Sequence, residues 1–76
     1  GDILLTQNKL EEAIVAYRKA IGAEPTIVTA IANLGYTYHL QGRNREALEQ
    51  LNRAIELNPN LKWAIELRDK IQKSAP

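Results

Sequence analysis

Residues able to do covalent chemistry are scarce in this chain. It has one histidine, His39, no cysteine, and a single serine, Ser74, close to the C-terminus. Nucleophilic catalysis needs a nucleophile beside a base, and a metal centre needs two or more good ligands converging. His39 has no second imidazole or thiolate to join it and reads as a helix-surface residue. The carboxylates are spaced along helix surfaces, and none stands isolated on an apolar stripe where burial would raise its pKa. Gly22, Gly35 and Gly42 are too far apart to form a phosphate loop. The expectation is no catalytic residue, no metal, no cofactor and no enzyme.

The remaining chemistry is recognition, and charge narrows it. Net charge is +1, with both signs interleaved. Lys9, Arg18, Lys19, Arg43, Arg45 and Arg53 stand among Glu11, Glu12, Glu24, Glu46, Glu49 and Glu56. That pattern predicts solvated helix faces carrying pairs three or four residues apart. Nucleic acid is not expected as a partner, because phosphate binding needs a concentrated basic face. No apolar run approaches the roughly 20 residues of a membrane helix, so no membrane partner is expected. A soluble, by default cytoplasmic, protein fits this composition. At 76 residues the chain makes one small domain with a thin stability margin, and no disulfide can staple it. It begins with glycine and lacks methionine, as a fragment or a processed product would.

The elements that must position any recognition surface are helical. Leu10, Ala13, Ile14, Tyr17, Ala20 and Ile21 recur at helical spacing, and so do Ala47, Leu48, Leu51, Ala54 and Ile55. Ile27, Ala30, Ile31, Leu34, Tyr38 and Leu40 form a stripe between them, and Leu61, Ala64, Ile65, Leu67 and Ile71 a last one. Pro25 and Pro59 break the helices before them. Thr26 and Asn60 then stand where an N-cap oxygen is wanted. Gly42 suits the left-handed position that ends a helix, and Asn8 occupies the equivalent place upstream. This predicts five helical pieces, near 1–7, 10–23, 26–41, 44–57 and 60–73, joined by short links as antiparallel neighbours.

The sequence also repeats itself. Shifted by 34 places, Glu12 meets Glu46, Ala13 meets Ala47, Ala20 meets Ala54, Ile21 meets Ile55 and Pro25 meets Pro59. Two helices per period of 34 resemble the tetratricopeptide repeat. Gly35, Tyr38, Ala47, Leu51, Ala54 and Pro59 match its signature in one copy, and Gly1, Leu4, Ala13, Tyr17, Ala20 and Pro25 in the other. The resemblance implies an all-α fold of antiparallel helix-turn-helix repeats stacked as a short right-handed superhelix, an α–α solenoid. Residues 1–27 would be a partial first repeat with a truncated first helix, 28–61 a complete repeat, and 62–76 a capping helix and tail. Gly35 opposite Ala47 would let two helices of a repeat approach closely, and Ala54 would do the same for the next repeat's first helix. Each copy would supply its neighbour's core, since one helix pair cannot bury its own stripe.

The same resemblance implies a scaffold or adaptor module that binds a segment of a partner protein in a concave groove. By position, Thr29, Asn33, Tyr36 and Leu40 would line that groove with Trp63 and Lys70 of the terminal helix, and Ala32, His39, Glu66 and Leu67 fall at neighbouring places. Some members of the family clamp a C-terminal carboxylate with basic and amide side chains. Here Asn33 matches, but Asp2, Trp63 and Leu67 replace the other members of such a clamp, so an apolar or mixed peptide is expected instead. Two alternatives stand beside this reading. One is self-association through the incomplete first repeat, whose Ile3, Leu4, Leu5, Ala13 and Tyr17 leave an apolar edge. The other is a regulatory appendage of a larger enzyme.

Overall fold

The computed structural model describes residues 2–24 and 26–74, and the side chains of 6–24 and 26–73. The described residues form four helices: α1 Asp2–Ala23, α2 Val28–Leu40, α3 Asn44–Leu57 and α4 Lys62–Ser74. α2 packs most extensively on α3, α1 lies on α2, α4 lies on α3, and α2 also touches α4. α1 and α3 have no Cα pair within 8 Å. The fold is thus an all-α helical repeat with the α2–α3 hairpin at its centre.

That hairpin turns where Gly42 allows it. Gly42 is at φ 77°, the left-handed region that only glycine enters without steric cost. Its N–H donates to the His39 carbonyl at 2.9 Å, and the Arg43 N–H donates to the Tyr38 carbonyl at 2.9 Å. Together these bonds make a Schellman motif, which satisfies carbonyls that the end of α2 leaves open. An apolar contact usually accompanies the motif. Here the Arg43 guanidinium lies 4.6 Å above the centre of the Tyr38 ring and fills that place as a cation–π pair. Arg43 also pairs with Glu46 in the first turn of α3. That hydrogen bond pushes the arginine's pKa up from its ordinary value. Gln41 donates to Glu11 at 2.8 Å, tying the same turn back to α1.

Two clusters form the core. Ile14, Leu34, Tyr38, Ala47, Leu51, Ala64 and Ile71 make the larger, so all four helices contribute. Ile31, Ala32 and Ala54 make the smaller, and Ile21 and Leu61 pack against both. Ala54 therefore shares its cluster with α2 residues, whereas Ala64 brings α4 to Ala47 and Leu51. α2 packs tightly on α3 at Gly35. A Cβ there would stand 2.9 Å from Leu51 Cγ and 3.2 Å from the Ala47 carbonyl oxygen. Leu51 and Ala47 are both fully buried, so neither can move aside into solvent.

Three expectations need correction. α1 runs unbroken through Asn8, so four helices replace the five read from the sequence. A turn at Asn8 would put a non-glycine residue in the left-handed region, at a cost of roughly 1–2 kcal/mol. Helix continuation avoids that cost and gives each amide a partner. Thr26 and Asn60 do not cap helices. Ile27 holds the N-cap of α2 with no side-chain hydrogen bond, and α4 opens at Lys62, one residue beyond half-buried Leu61. The turn before α4 is held from the other side, where Asn58 Oδ1 accepts from the Asn60 N–H at 3.2 Å. Apolar anchoring of Ile27 and Leu61 outweighs a polar cap at both places. Pro25 lies outside the described residues. Pro59 lies in the turn after Asn58, whose extended backbone (φ −141°, ψ 90°) is what a following proline favours. Finally, interleaved charges do not become a ladder of pairs. Among the described residues, Arg43–Glu46 and Arg68–Asp69 are the ion pairs.

Two measurements check these points. Gly35→Ala is expected to lower the urea midpoint despite alanine's helix propensity, while Gly22→Ala, which meets nothing within 4 Å, raises stability by about 0.5–1 kcal/mol. Asn8→Ala should raise stability by a few tenths of a kcal/mol, as for any helix-interior asparagine. A clear loss on that substitution would reinstate the turn.

Candidate peptide-binding surface

Residues 29, 33, 36 and 40 are spaced by four, three and four, which places them along one stripe of α2. Thr29, Tyr36 and Leu40 are exposed and Asn33 is half-buried. On α4, Trp63, Glu66 and Lys70 are exposed in the same spacing. The two stripes meet at their aromatic members. The Tyr36 and Trp63 rings stand edge to face, 6.5 Å apart with an interplanar angle of 89°. This T-shaped geometry sets the positive edge of one ring against the negative face of the other. It also leaves both rings accessible, Tyr36 at 45% and Trp63 at 41% exposure, with Leu40 at 49%. Large apolar groups this exposed are few among the described residues, and Tyr36, Leu40 and Trp63 are three of them.

The neighbours of this stripe are structural. Ala32 is fully buried in the smaller core cluster and contributes no groove surface. Leu67 is half-buried and packs against the larger cluster. His39 Nδ1 lies 3.3 Å from Asn44 Oδ1 and joins the end of α2 to the start of α3. Asn33 is half-buried, and its backbone carbonyl accepts from Thr37 Oγ1 at 2.8 Å. The side chain of Asp2 lies outside those described. Trp63 is at once a packing partner of Tyr36 and an exposed surface. The α2–α4 juxtaposition that makes the pair could be read from the repeat spacing, but the ring geometry could not.

Residues 1–42 match the family described as TPR repeat, and residues 28–61 match the tetratricopeptide repeat. The chain belongs to the tetratricopeptide repeat family. It is also similar to a peroxisomal targeting signal receptor of Eremothecium gossypii, with 41% identity over 58 residues that cover 76% of this chain. The chain spans about a tenth of that receptor's length, 10%. Tetratricopeptide repeats together with a receptor relative make this a protein-interaction module.

The packing residues of the family signature occupy the interior of this tetratricopeptide chain. Gly35, Tyr38, Ala47, Leu51 and Ala54 are buried, and Ala13, Tyr17 and Ala20 on α1 are half-buried. The gradient has a cause. α2 and α3 are covered on two sides, whereas α1 meets only α2. The sole tryptophan makes the aromatic pair easy to monitor. Tyr36→Ala is expected to shift Trp63 emission to longer wavelength and to cost no more than about 1 kcal/mol, since both rings are already partly hydrated.

Proposed function

We propose that this module binds an extended segment of a partner protein along the α2–α4 surface, with Tyr36, Leu40 and Trp63 as apolar anchors and Thr29, Asn33 and Lys70 as polar contacts around them. The observation that carries the reading is the exposed T-shaped Tyr36–Trp63 pair. Aromatic groups with accessible faces and polar handles are the residue types that dominate binding energy at protein surfaces. The similarity to a receptor for a targeting signal supports a peptide-like ligand. Trp63 and Leu67 stand where a carboxylate clamp would need cations, so the ligand is apolar or mixed and does not depend on a free C-terminus. On this reading the module is a non-enzymatic scaffold or adaptor. Residues 28–61 act as its complete repeat, 1–27 as a partial one and 62–76 as the closing helix.

Self-association is the second reading, favoured by Val15, 52% exposed on α1. Ala13 and Tyr17 of the proposed edge are half-buried on the same helix, and the side chains of Ile3, Leu4 and Leu5 lie outside those described. Sedimentation at several concentrations separates the two, because a monomer at all concentrations removes this reading.

The test of the groove uses short peptides selected from a displayed random library and resynthesised with free and amidated C-termini. Trp63 fluorescence should respond to both forms with similar affinity. Tyr36→Ala should weaken binding about ten-fold or more. A large loss on amidation would overturn the apolar assignment, and full binding to the Tyr36→Ala variant would remove the groove.

A further inference from the structure

A concavity lies in the gap between α1 and α3. It is an open cavity of about 250 Å³ lined by Arg18, Ile21 and Gly22 of α1, Leu34 of α2, and Gln50 and Arg53 of α3. Leu34 stands two residues before Tyr36, hence roughly 200° around α2 from it. The cavity therefore opens away from the aromatic pair. We propose that this cleft is a binding site for an acidic protein segment, whose carboxylate side chain sits between Arg18 and Arg53 while an adjacent apolar residue rests on Ile21 and Leu34.

Charge is the argument. Arg18 and Arg53 both line the cleft, and no carboxylate does. Among the described residues, neither guanidinium enters an ion pair or hydrogen bond. Glu49 and Glu56 lie one turn to either side of Arg53 on α3, yet neither closes onto it. Arg18 has no acidic residue three or four positions away. Elsewhere the chain intersperses its charges, so two unpaired cations on one cavity form a local excess. An anion relieves their mutual repulsion, and an apolar floor strengthens the attraction by excluding water. Guanidinium groups suit a carboxylate because their N–H forks match its two oxygens. Gln50 adds an amide donor. Gly22 keeps the rim low, with nothing within 4 Å of where its Cβ would be.

The probes are a peptide, acetyl-Gly-Leu-Glu-Glu-Leu-Gly-amide, its counterpart with both glutamates replaced by glutamine, and inorganic phosphate, each titrated into ¹⁵N-labelled chain. The acidic peptide should shift the Gly22 backbone amide and the Gln50 side-chain amide in a saturable way. Its affinity should fall ten-fold or more in the glutamine peptide and in the Arg18→Gln, Arg53→Gln double variant, and stay unchanged in Tyr36→Ala. Both arginines are exposed, so the double variant should keep its helical circular dichroism. If it does not fold, the two peptides on the unaltered chain still decide. Equal binding of the glutamine peptide overturns the proposal, as do shifts confined to the Tyr36 and Trp63 region. Tighter binding of phosphate than of the acidic peptide overturns the assignment to a protein segment. Loss of groove binding in Tyr36→Ala bears on the first site alone, so the two sites fail separately.

Discussion

The structure depends on one close approach, that of α2 to α3 at Gly35. With no side chain there, the Ala47 carbonyl and the Leu51 side chain come to within contact of the α2 backbone. This distance sets the spacing of the hairpin, and the hairpin sets everything outside it. Tyr38 and Leu34 close the larger cluster on the side toward α1, and Ala64 and Ile71 of α4 complete it. A protein interior is too densely packed to absorb an extra methyl group without displacing its neighbours. Small residues at the crossing are therefore as necessary as the large ones that fill around it.

The turn between α2 and α3 adds orientation to that spacing. Gly42 ends one helix, and Arg43 begins the approach to the next while lying over Tyr38. A single side chain thus joins the turn to the core, to Glu46 of α3 and to Gln41, which itself reaches Glu11 of α1. The exposed pair Tyr36–Trp63 is a consequence of this geometry. α2 touches α4 along one side, where Leu34, Tyr38, Ala64 and Ile71 share the core and the exposed Tyr36 and Trp63 meet edge to face. On the opposite side, the cavity between α1 and α3 is lined by Arg18 and Arg53. The two outer faces of one small array thus differ in chemistry.

Much of the fold was legible in the residues. Apolar stripes at helical spacing marked the helices, and the repeat of Ala13, Ala20 and Pro25 as Ala47, Ala54 and Pro59 marked the period. Asn8 shows where this reading fails. It occupies the place of Gly42 in the repeat, but repeat position does not say whether the preceding segment can dock, and here the helix continues through it. Thr26 and Asn60 show a second failure. Their side chains suit N-caps, yet half-buried Ile27 and Leu61 set where the following helices begin. Of the residues expected at a groove, the stripe of Thr29, Asn33, Tyr36 and Leu40 on α2 followed from spacing alone. The burial of Ala32 and Leu67 did not, because neighbouring helices decide which edge of a stripe is covered.

By itself the sequence determined the helical class, the approximate bounds of the last three helices and the kinship with tetratricopeptide repeats, because propensity, breakers and period are local properties of the chain. Tertiary structure alone decided which charges found partners. Glu49 and Glu56 flank Arg53 one turn away in sequence, but whether such groups meet depends on rotamers and on the shape of the gap between α1 and α3. It alone also set Tyr36 edge-on to Trp63, since that contact joins residues on two helices whose distance is fixed by the packing of a third.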